Sequence, residues 1–392
     1  MEGNSLKTIV FVVSDLMTVD AFLLPHIRAL SAKYQIHIVA NARHSDALKE
    51  TGIDAQVFYA PITRSIAPIA DIRAIFYLIL LLRRLEADMV ISITPKAGLL
   101  SMLAACFKHT PHRIHIFTGQ VWKTMTGFGR LFFKFLDKVL FYCTTYALVD
   151  SPSQRQFLLE QGIIKSQSCG VLCEGSVCGV DTERFSSNSE VRKKIRNQYS
   201  YVSGDVVFLF LGRLKKDKGI LDLVNAFKGL VHSCPGARLL IVGPDEEDLL
   251  PDIKGIMGDD KSAFSYVEYT NTPEIYMSAA DVFCLPSYRE GFGSVIIEAA
   301  ASGLPAIGTD IYGIQDAIKN EESGLIYPMG NIDELAACMM KLYESKDLRN
   351  TLGLYARQRV CRDFSEEKLT SALVSFVDEK FKPCERSALN QV

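Results

Sequence analysis

The sequence predicts an α/β fold built from two doubly wound domains. The chain has 392 residues, of which 48% are hydrophobic, and this is enough to bury two hydrophobic cores. Short apolar runs alternate with longer helical patterns in two series, separated by a polar stretch at residues 186–203. Such alternation indicates right-handed crossovers on parallel sheets that are covered on both faces.

The first series occupies the N-terminal half. Its predicted strands are KTIVFVV, IHIVA, VFYAP, MVISI, RIHIF and YALVD. Its predicted helices are residues 19–33, 70–85, 98–107 and 129–144, followed by one that begins near Ser151. Ligands of such sheets bind beyond the carboxyl ends of the strands, which here are followed by the loops SDLMTVD, TPKAG and TGQVW.

Three residues in these loops are candidates for contacts with an acceptor. Lys96 begins a predicted helix, where it either meets a phosphate or is simply exposed, and Gln120 has a similar position. Trp122 either stacks on a sugar or belongs to the core, and we favour the core. His115 lies inside a predicted strand and is interpreted as structural.

The second series predicts a second parallel sheet. Its strands are VVFLFLG, RLLIVG, FSYVEYT, VFCLP, AIGT and GLIYP. Its helices are residues 190–199, 219–231, one near Asp248, 272–279 and one that begins near Ser294. The predicted domains are therefore residues 1–185 and 186–363.

The segment from Leu285 to Asp310 predicts a ligand site. Pro286 ends the strand VFCLP, and Gly291 and Gly293 allow a ligand to approach the backbone before the helix begins. The first N–H groups of that helix suit a phosphate. Glu290 and Glu298 are hydrogen-bond acceptors for sugar or ribose hydroxyls, although an acidic first turn that complements the helix dipole is the alternative.

A second loop supplies two cations. In GRLKKDKG, Arg213 follows a strand and Lys218 precedes a helix. A guanidinium and an ammonium suit a diphosphate, although two such residues in a strand-to-helix loop are more often surface charges when the loop is taken alone.

The segments EGFGSVIIE, SGLPAIGTD and GRLKKDKG together resemble the retaining glycosyltransferases of family 4. The resemblance implies the GT-B fold, in which two Rossmann-like domains face a cleft, and a C-terminal helix within residues 364–392 that crosses back to the first domain. It implies that Glu290 contacts the donor sugar and that Glu298 contacts the ribose, with Arg213, Lys218 and Glu290 as the catalytic residues. The implied nucleotide-sugar site comprises Arg213, Lys218, Thr270, Glu290, Gly291, Phe292, Gly293, Ser294, Val295 and Glu298.

The implied reaction moves a sugar from a UDP-sugar to a hydroxyl of a lipid-linked or polysaccharide acceptor, with retention and without a metal. The expected sugar is an N-acetylated hexosamine or a deoxyhexosamine, and the expected process is the assembly of a bacterial surface polysaccharide or lipopolysaccharide. Many relatives carry a Gly–Gly pair and a histidine where this chain has Ser14–Asp15 and Thr118–Gly119, so no catalytic histidine is carried over. The alternatives are a GT-B phosphorylase and a nucleotide- or dinucleotide-binding Rossmann module. The sequence argues against the second alternative, because no strand is followed by G-x-G-x-x-G.

Composition argues against several other classes. Residues 1–180 carry 18 Lys and Arg against 13 Asp and Glu, which is too mild an excess for nucleic-acid binding. Ten scattered cysteines and the absence of a signal peptide predict free thiols and a cytoplasmic chain. No D-x-D pair is present, so we expect neither a metal nor a cofactor other than the donor. The acidic residues 245–248 are interpreted as solvated surface.

The segment from Gly127 to Tyr142 predicts an amphipathic helix. Arg130, Lys134 and Lys138 recur every four residues among bulky apolar side chains. Such a helix either lies in a membrane interface beside anionic lipids or packs on the sheet with a cationic outer stripe. The first alternative predicts peripheral attachment at the inner face of a membrane.

Overall fold

The structure, a computed structural model, describes residues 6–42, 55–63 and 67–382. It contains two parallel β-sheets, and the described residues place at least one helix between most successive strands, as the sequence predicted. The strands of the first sheet are β1 (Thr8–Val12), β2 (Gln35–Ala40), β3 (Gln56–Tyr59), β4 (Met89–Ile93), β5 (His112–Phe117), β6 (Tyr146–Val149) and β7 (Cys169–Val171). Those of the second are β8 (Val206–Leu211), β9 (Ala237–Val242), β10 (Phe264–Val267), β11 (Val282–Leu285), β12 (Ala306–Thr309) and β13 (Gly324–Tyr327).

Strand order reverses once in each sheet. The first sheet has the order β3-β2-β1-β4-β5-β6-β7 and the second the order β10-β9-β8-β11-β12-β13. The second sheet is parallel throughout, with Val206 opposite Ala237 and Phe283 opposite Ala306. The order therefore reverses between β1 and β4 and again between β8 and β11, and such points are where doubly wound sheets bind ligands.

Fifteen α-helices are found in the described residues. In the first half they are α1 (Met17–Phe22), α2 (Leu24–Ser31), α3 (Pro68–Arg84), α4 (Pro95–Phe107), α5 (Gly127–Cys143) and α6 (Pro152–Glu160). In the second half they are α7 (Ser189–Gln198), α8 (Ile220–Val231), α9 (Leu250–Met257), α10 (Pro273–Ala279), α11 (Ser294–Ala301), α12 (Ile314–Ala317), α13 (Ile332–Glu344), α14 (Lys346–Asp363) and α15 (Glu366–Phe381).

The prediction of a single helix over residues 19–33 is wrong. It is divided into α1 and α2 at Leu23, which has φ −120° and ψ −13°. Pro25 follows in the first turn of α2; proline lacks an N–H and disfavours helical conformation in the residue before it. Four elements were not predicted at all, namely β7, α12, α13 and α14.

The chain forms two compact units. One consists of residues 1–116, 139–147 and 367–392, and the other of residues 117–138 and 148–366. These units divide the chain at positions other than residue 185, so the predicted domain assignment stays a prediction. Within the first unit, α15 lies beside the end of α2, where the Tyr34 hydroxyl donates to Asp378 at 2.6 Å. The last residues of the predicted C-terminal segment, 383–392, lie outside the described residues.

Most of the exposed side chains of α5 are apolar. Phe128, Leu131, Phe132 and Phe135 are exposed. Arg130 and Lys134 are instead partly buried, with their cationic groups 6.0 and 5.7 Å from the ring centre of Trp122. Lys138, the third cation of the predicted stripe, is exposed. The alternative of a sheet-packed helix with a cationic outer stripe therefore fits at Lys138 but not at Arg130 and Lys134, and the choice between the two alternatives stays a prediction. No helix in the described part of the chain is long and apolar enough to cross a membrane.

Candidate active site

The candidate site lies where strand order reverses in the second sheet. β8 and β11 are neighbouring parallel strands, so the loops that follow them leave the same edge of the sheet. The loop after β8 carries Arg213 and Lys218, and the loop after β11 carries Glu290. The topology thus brings together two motifs that are far apart in sequence.

Backbone contacts hold the two loops against each other. The Tyr288 N–H donates to the Asp217 carbonyl at 2.9 Å. Gly219 has φ +68°, and a Cβ at this position would overlap the carbonyl oxygen of Pro286. Glycine is therefore required at 219 both for its left-handed conformation and for this close approach.

Ion pairs join the same loops. Arg289 donates to the Asp217 carboxylate at 2.8 Å, and Lys218 Nζ makes a direct ion pair with Glu290 Oε1. Burial opposes ionisation of Asp217, but the hydrogen bond and charge of Arg289 hold its pKa below the ordinary value. The Lys218 and Glu290 side chains are both largely buried, so their charges are screened less than those of surface groups.

Ser287 orients Glu290 as well. Its side chain is fully buried and its hydroxyl donates to Glu290 Oε1 at 2.9 Å. The Thr309 hydroxyl donates to the Ser287 carbonyl at 2.6 Å, which ties this loop to the end of β12. The predicted sugar-binding carboxylate is therefore positioned by a neighbour that the sequence analysis did not identify.

Arg213 contacts the loop that follows β9 rather than the loop that follows β11. Its guanidinium pairs with Glu246 at 3.2 Å and its side chain is half exposed. Lys215 lies 3.5 Å from Glu246 and 3.6 Å from Glu247. Glu246 and Glu247 thus do more than face solvent, because their carboxylates compensate the cations of the loop after β8. Among the described residues, Lys218 contacts Glu290, and Arg213 makes no hydrogen bond or ion pair with Lys218 or with Glu290.

The predicted helix start at Ser294 is confirmed. Gly293 precedes α11 with φ +84°, a left-handed conformation that favours glycine. The N–H groups of Ser294 and Val295 stand in the first turn, where no intrahelical carbonyl is in reach. The ring of Phe292 is buried 5.3 Å from that of Phe364, so its side chain belongs to the core and the predicted ligand contact of Phe292 stays a prediction.

Glu298 lies on the second turn of α11. Burial raises the pKa of its carboxyl to about 7; the positive charge of Arg184 opposes this rise and the negative charge of Glu274 adds to it. No described residue donates a hydrogen bond to the Glu298 side chain. A carboxyl that is taken from water without a protein donor favours a ligand donor such as a hydroxyl.

Thr270 belongs to the turn between β10 and α10. Its hydroxyl accepts from the Thr272 N–H at 3.0 Å, and the neighbouring Tyr269 is exposed. The turn is therefore accessible, and we find no direct contact between Thr270 and the other predicted site residues in the part of the chain that the structure describes.

Asp150, which was not predicted, is a buried carboxyl beside the Glu290 loop. It follows β6 and is 7% exposed. A Cβ on Gly291 would overlap its Oδ2 atom, and a Cβ on Gly119 would lie 3.1 Å from the Gly291 nitrogen. Burial raises the pKa of Asp150 to about 7, and the negative charge of Glu290 adds to this rise.

A polar network continues from this point. The Gln120 side chain is buried and its Oε1 accepts from the Tyr312 hydroxyl at 3.1 Å, while the backbone N–H of Gln120 donates to the same hydroxyl at 3.3 Å. Lys123 lies 3.9 Å from the ring centre of Tyr312, and burial lowers its pKa to about 8. Gln120 is therefore engaged with protein groups, and its predicted contact with an acceptor stays a prediction.

The other candidates from the first half are also engaged. Trp122 is buried and its indole donates to Asp137 at 2.7 Å, so it belongs to the core. Lys96 pairs with Asp71 at 2.7 Å and is largely buried. His115 is buried with Nδ1 2.8 Å from the Ser92 hydroxyl, and burial lowers its pKa to about 3, as suits a structural histidine.

The described cysteines are free thiols. Among the described residues no group of three or more His, Cys, Asp or Glu side chains is placed to hold a metal ion. Asp245 accepts from the Leu249 and Leu250 N–H groups at 2.9 and 2.8 Å, which makes it a cap for the start of α9.

We expect Asp150→Asn to change how stability depends on pH. Because the pKa of Asp150 is raised in the folded chain, its protonated carboxyl contributes to the free energy of unfolding. This contribution is fully present below pH 3.8 and is lost as the pH rises through about 7. The variant should therefore gain stability relative to wild type between pH 5 and pH 8, by roughly 3 kcal/mol at most. Denaturant titrations at both pH values measure this. The control is Asp333→Asn at an exposed position, whose free energy of unfolding should differ from that of wild type by the same amount at the two pH values. If the difference between Asp150→Asn and wild type is also the same at the two pH values, the expectation is contradicted.

Comparison with known proteins agrees with this architecture. The model of the family "Glycosyl transferases group 1" matches residues 191–359. The chain is 30% identical over 353 residues to the capsular polysaccharide biosynthesis glycosyltransferase CapM of Staphylococcus aureus, a match that covers 89% of this chain and 91% of CapM. It is 26% identical over 324 residues to the UDP-Gal:alpha-D-GlcNAc-diphosphoundecaprenol alpha-1,3-galactosyltransferase of Escherichia coli, covering 79% and 80% of the two chains.

A solved structure shows the same fold. HepE of Anabaena, in complex with UDP, superposes with a TM-score of 0.79 at 15% identity, covering 95% of this chain and 100% of HepE. The predicted GT-B fold class is thereby confirmed. The chain belongs to the group 1 glycosyl transferases, the GT-B family that its motifs resemble, and it is a glycosyltransferase.

Proposed function

We propose that the protein is a retaining, metal-independent enzyme that transfers a sugar from a UDP-sugar to a hydroxyl of a lipid-linked or polysaccharide acceptor. The observation that carries this proposal is the ion pair of Lys218 and Glu290, which stands at the reversal of strand order with the first turn of α11 close behind it in the chain. One loop then offers positive charge for a diphosphate and the other offers a carboxylate for sugar hydroxyls.

The donor is held in three parts. Its diphosphate meets Lys218, Arg213 and the first N–H groups of α11, and these groups supply the positive charge that a metal would otherwise provide. The sugar hydroxyls donate to Glu290. The ribose hydroxyls donate to Glu298, whose carboxyl has no hydrogen-bond donor among the described residues, and the base lies near Thr270.

The reaction exchanges one glycosidic bond for another. The bond between the anomeric carbon and the diphosphate oxygen breaks, and a bond from that carbon to the acceptor oxygen forms on the same face of the sugar. The proton of the acceptor hydroxyl passes to the departing diphosphate oxygen, and UDP is released. Because negative charge develops on the departing diphosphate, preorganised cations lower the barrier most when they contact it in the transition state.

Two relatives support the choice of donor and acceptor. HepE has been solved in complexes with UDP, with UDP and glucose, and with UDP-glucose. The name of the Escherichia coli relative gives UDP-Gal as donor and a sugar on diphosphoundecaprenol as acceptor. For this chain we propose an N-acetylated hexosamine or a deoxyhexosamine as the transferred sugar, in the assembly of a bacterial surface polysaccharide.

A panel of nucleotides and nucleotide sugars tests the donor class. Thermal unfolding of the full chain should be shifted upwards by UDP and by one UDP-sugar, since a ligand that binds only the folded state stabilises it. ADP and GDP at equal concentration serve as controls for the base. Protection by NAD alone would overturn the proposal, and phosphate-dependent formation of a sugar 1-phosphate would favour a phosphorylase.

We also propose that the chain attaches peripherally to the inner face of a bacterial membrane through α5. The exposed side chains Phe128, Leu131, Phe132 and Phe135 form an apolar surface of the kind that enters the boundary between headgroups and acyl chains. Replacing Phe128, Leu131 and Phe135 together by serine should weaken binding to anionic vesicles by about tenfold or more. Cosedimentation measures this, with the exposed Leu354→Ser as control; equal binding of wild type and the triple variant would contradict a role for α5.

A further inference from the structure

Asp150 is a buried carboxyl that takes no part in the function proposed above. The residue is 7% exposed, and no described residue donates a hydrogen bond to its carboxyl or forms an ion pair with it. Its backbone groups are engaged instead, since the N–H donates to the Gln154 side chain at 2.9 Å and the carbonyl accepts from the Ser176 N–H at 2.8 Å. A buried carboxyl without a partner in the protein is suited to a partner in a ligand.

The carboxyl lies against the loop that carries Glu290. A Cβ on Gly291 would overlap its Oδ2 atom, so the carboxyl touches the backbone of that loop. The loop after β7, which is bonded to the Asp150 carbonyl, carries Cys178. Burial raises the pKa of the Cys178 thiol, and the negative charges of Glu298 and Asp150 add to this rise. Asp150 is therefore close to Glu290 and to the Cys178 thiol. That thiol in turn is close to Glu298.

In the proposed donor site this position belongs to the diphosphate. Glu290 there accepts from the sugar and Glu298 from the ribose, and the diphosphate is the part of the donor that joins sugar and ribose. Asp150 is close to the first of these carboxylates and, across one thiol, to the second. The first turn of α11, with its unpaired N–H groups, begins three residues beyond Gly291. The carboxyl of Asp150 therefore lies where an oxygen of the diphosphate is expected.

The surroundings of Asp150 favour its neutral form. Burial raises the pKa of Asp150 to about 7, and the negative charge of Glu290 adds to this rise. Lys218 forms its ion pair with Glu290, and no ion pair of Lys218 with Asp150 is found among the described residues. The other neighbours of Asp150 named above are uncharged: the side chain of Gln154, the backbone of Ser176 and the thiol of Cys178. A neutral carboxyl donates one O–H, whereas a carboxylate only accepts and would repel a diphosphate.

We propose that Asp150 is a further donor-binding residue, whose neutral carboxyl donates a hydrogen bond to an oxygen of the diphosphate and so couples the binding of the donor to the uptake of a proton. The inference rests on the proposed function and adds to it a contact with the diphosphate and a dependence of donor affinity on pH. Asp150 keeps its proton in this role, and the proton of the acceptor hydroxyl still passes to the departing oxygen. A preorganised neutral donor at the diphosphate stabilises the charge that develops there.

The sign of the pH dependence follows from this contact. A bound diphosphate favours the carboxylic acid over the carboxylate, so the pKa of Asp150 is higher in the complex than in the free chain. Binding then takes up protons, and the affinity for UDP falls as the pH rises through about 7, the pKa of Asp150 in the free chain. If the carboxylate instead accepted from a hydroxyl of the ligand, the affinity would rise over the same range.

Asp150→Asn tests this sign, because an asparagine amide has almost the shape of the acid and carries N–H donors at every pH. In calorimetric titrations with UDP, the variant should bind within about threefold of wild type at pH 6 and about tenfold more tightly than wild type at pH 8. The control is Asp333→Asn, at an exposed position, which should match wild type at both pH values. The proposal is overturned if the dissociation constants of Asp150→Asn and wild type keep the same ratio at both pH values, or if the variant binds more weakly at pH 8.

Proton counts test the coupling directly. Titrations of UDP in two buffers that differ in their enthalpy of ionisation give the number of protons taken up for each UDP bound. At pH 7.5 wild type should show net uptake, which exceeds that of Asp150→Asn by on the order of half a proton. Protons exchanged by UDP itself or by Glu298 are common to both proteins and cancel in this difference. Net release by wild type, a result that needs no variant, would overturn the proposal, and so would equal counts in the two proteins.

UDP binding separates this inference from the function on which it rests. Absence of UDP binding by the folded wild type at both pH 6 and pH 8 would overturn the proposed donor and the role of Asp150 together. UDP binding without a difference in proton uptake would overturn the role of Asp150 alone and leave the donor in place. Thermal unfolding at each pH establishes that both proteins are folded in the titrations.

Discussion

Replacing Lys218 by alanine is expected to lower kcat/KM for sugar transfer by ~10²-fold or more. The reason is that Lys218 stands between the two loops of the site, where it pairs with Glu290 and, in the proposed function, meets the charge that develops on the departing diphosphate. Loss of one such donor typically costs two to three orders of magnitude in rate. Steady-state kinetics with the UDP-sugar substrate measure the effect.

Lys216→Ala is the matched control, because Lys216 belongs to the same loop and its side chain is exposed. This variant should keep kcat/KM within about threefold of wild type. Arg213→Ala should also lower kcat/KM by ~10²-fold, although Arg213 pairs with Glu246 in the structure and would have to exchange that partner for the diphosphate. Wild-type kinetics in both Arg213→Ala and Lys218→Ala would contradict the proposed contact of these two cations with the diphosphate.

Replacing Glu290 by glutamine is expected to impair transfer much more than it impairs UDP binding. Glutamine preserves the shape of the side chain but leaves the Lys218 ammonium without its carboxylate partner and weakens the acceptor for sugar hydroxyls. We expect kcat/KM to fall by ~10²-fold while the dissociation constant of UDP stays within about threefold of wild type. Kinetics and calorimetric titration with UDP provide the two measurements.

Glu298→Gln supplies the contrast. If Glu298 accepts from the ribose, its loss should raise the dissociation constant of UDP by roughly tenfold or more, the effect expected when a hydrogen bond to a charged group is lost, and kcat should change less. Equal effects of the two substitutions on UDP affinity would contradict the assignment of Glu290 to the sugar and Glu298 to the ribose.

Much of the second sheet was predictable because its strands are buried on both faces. VVFLFL and VFCL are uninterrupted apolar runs, and the structure makes them β8 and β11. Neighbouring parallel strands with a reversed order bring their following loops together. This is why Lys218 and Glu290, 72 residues apart in the chain, could be assigned to one site from their motifs.

The rest depends on tertiary contacts that a sequence pattern does not encode. Asp150 ends a strand of the first series, and nothing in YALVD indicates that it lies against Gly291. The cations that recur every four residues in α5 predicted a basic face, but the structure places the cationic groups of Arg130 and Lys134 6.0 and 5.7 Å from the ring centre of Trp122. A helical wheel alone does not contain this contact with a residue outside the helix.

The central claim is transfer of a sugar from a UDP-sugar to an acceptor hydroxyl with retention. The most direct measurement incubates the full chain with UDP-sugars and a lipid-diphosphate-linked sugar, and follows the anomeric protons by NMR. The account predicts that one UDP-sugar is consumed with equimolar release of UDP, and that the new glycosidic bond has the same anomeric configuration as the donor. A product of inverted configuration would contradict retention, and the absence of UDP release from every UDP-sugar by the folded protein would contradict the proposed donor.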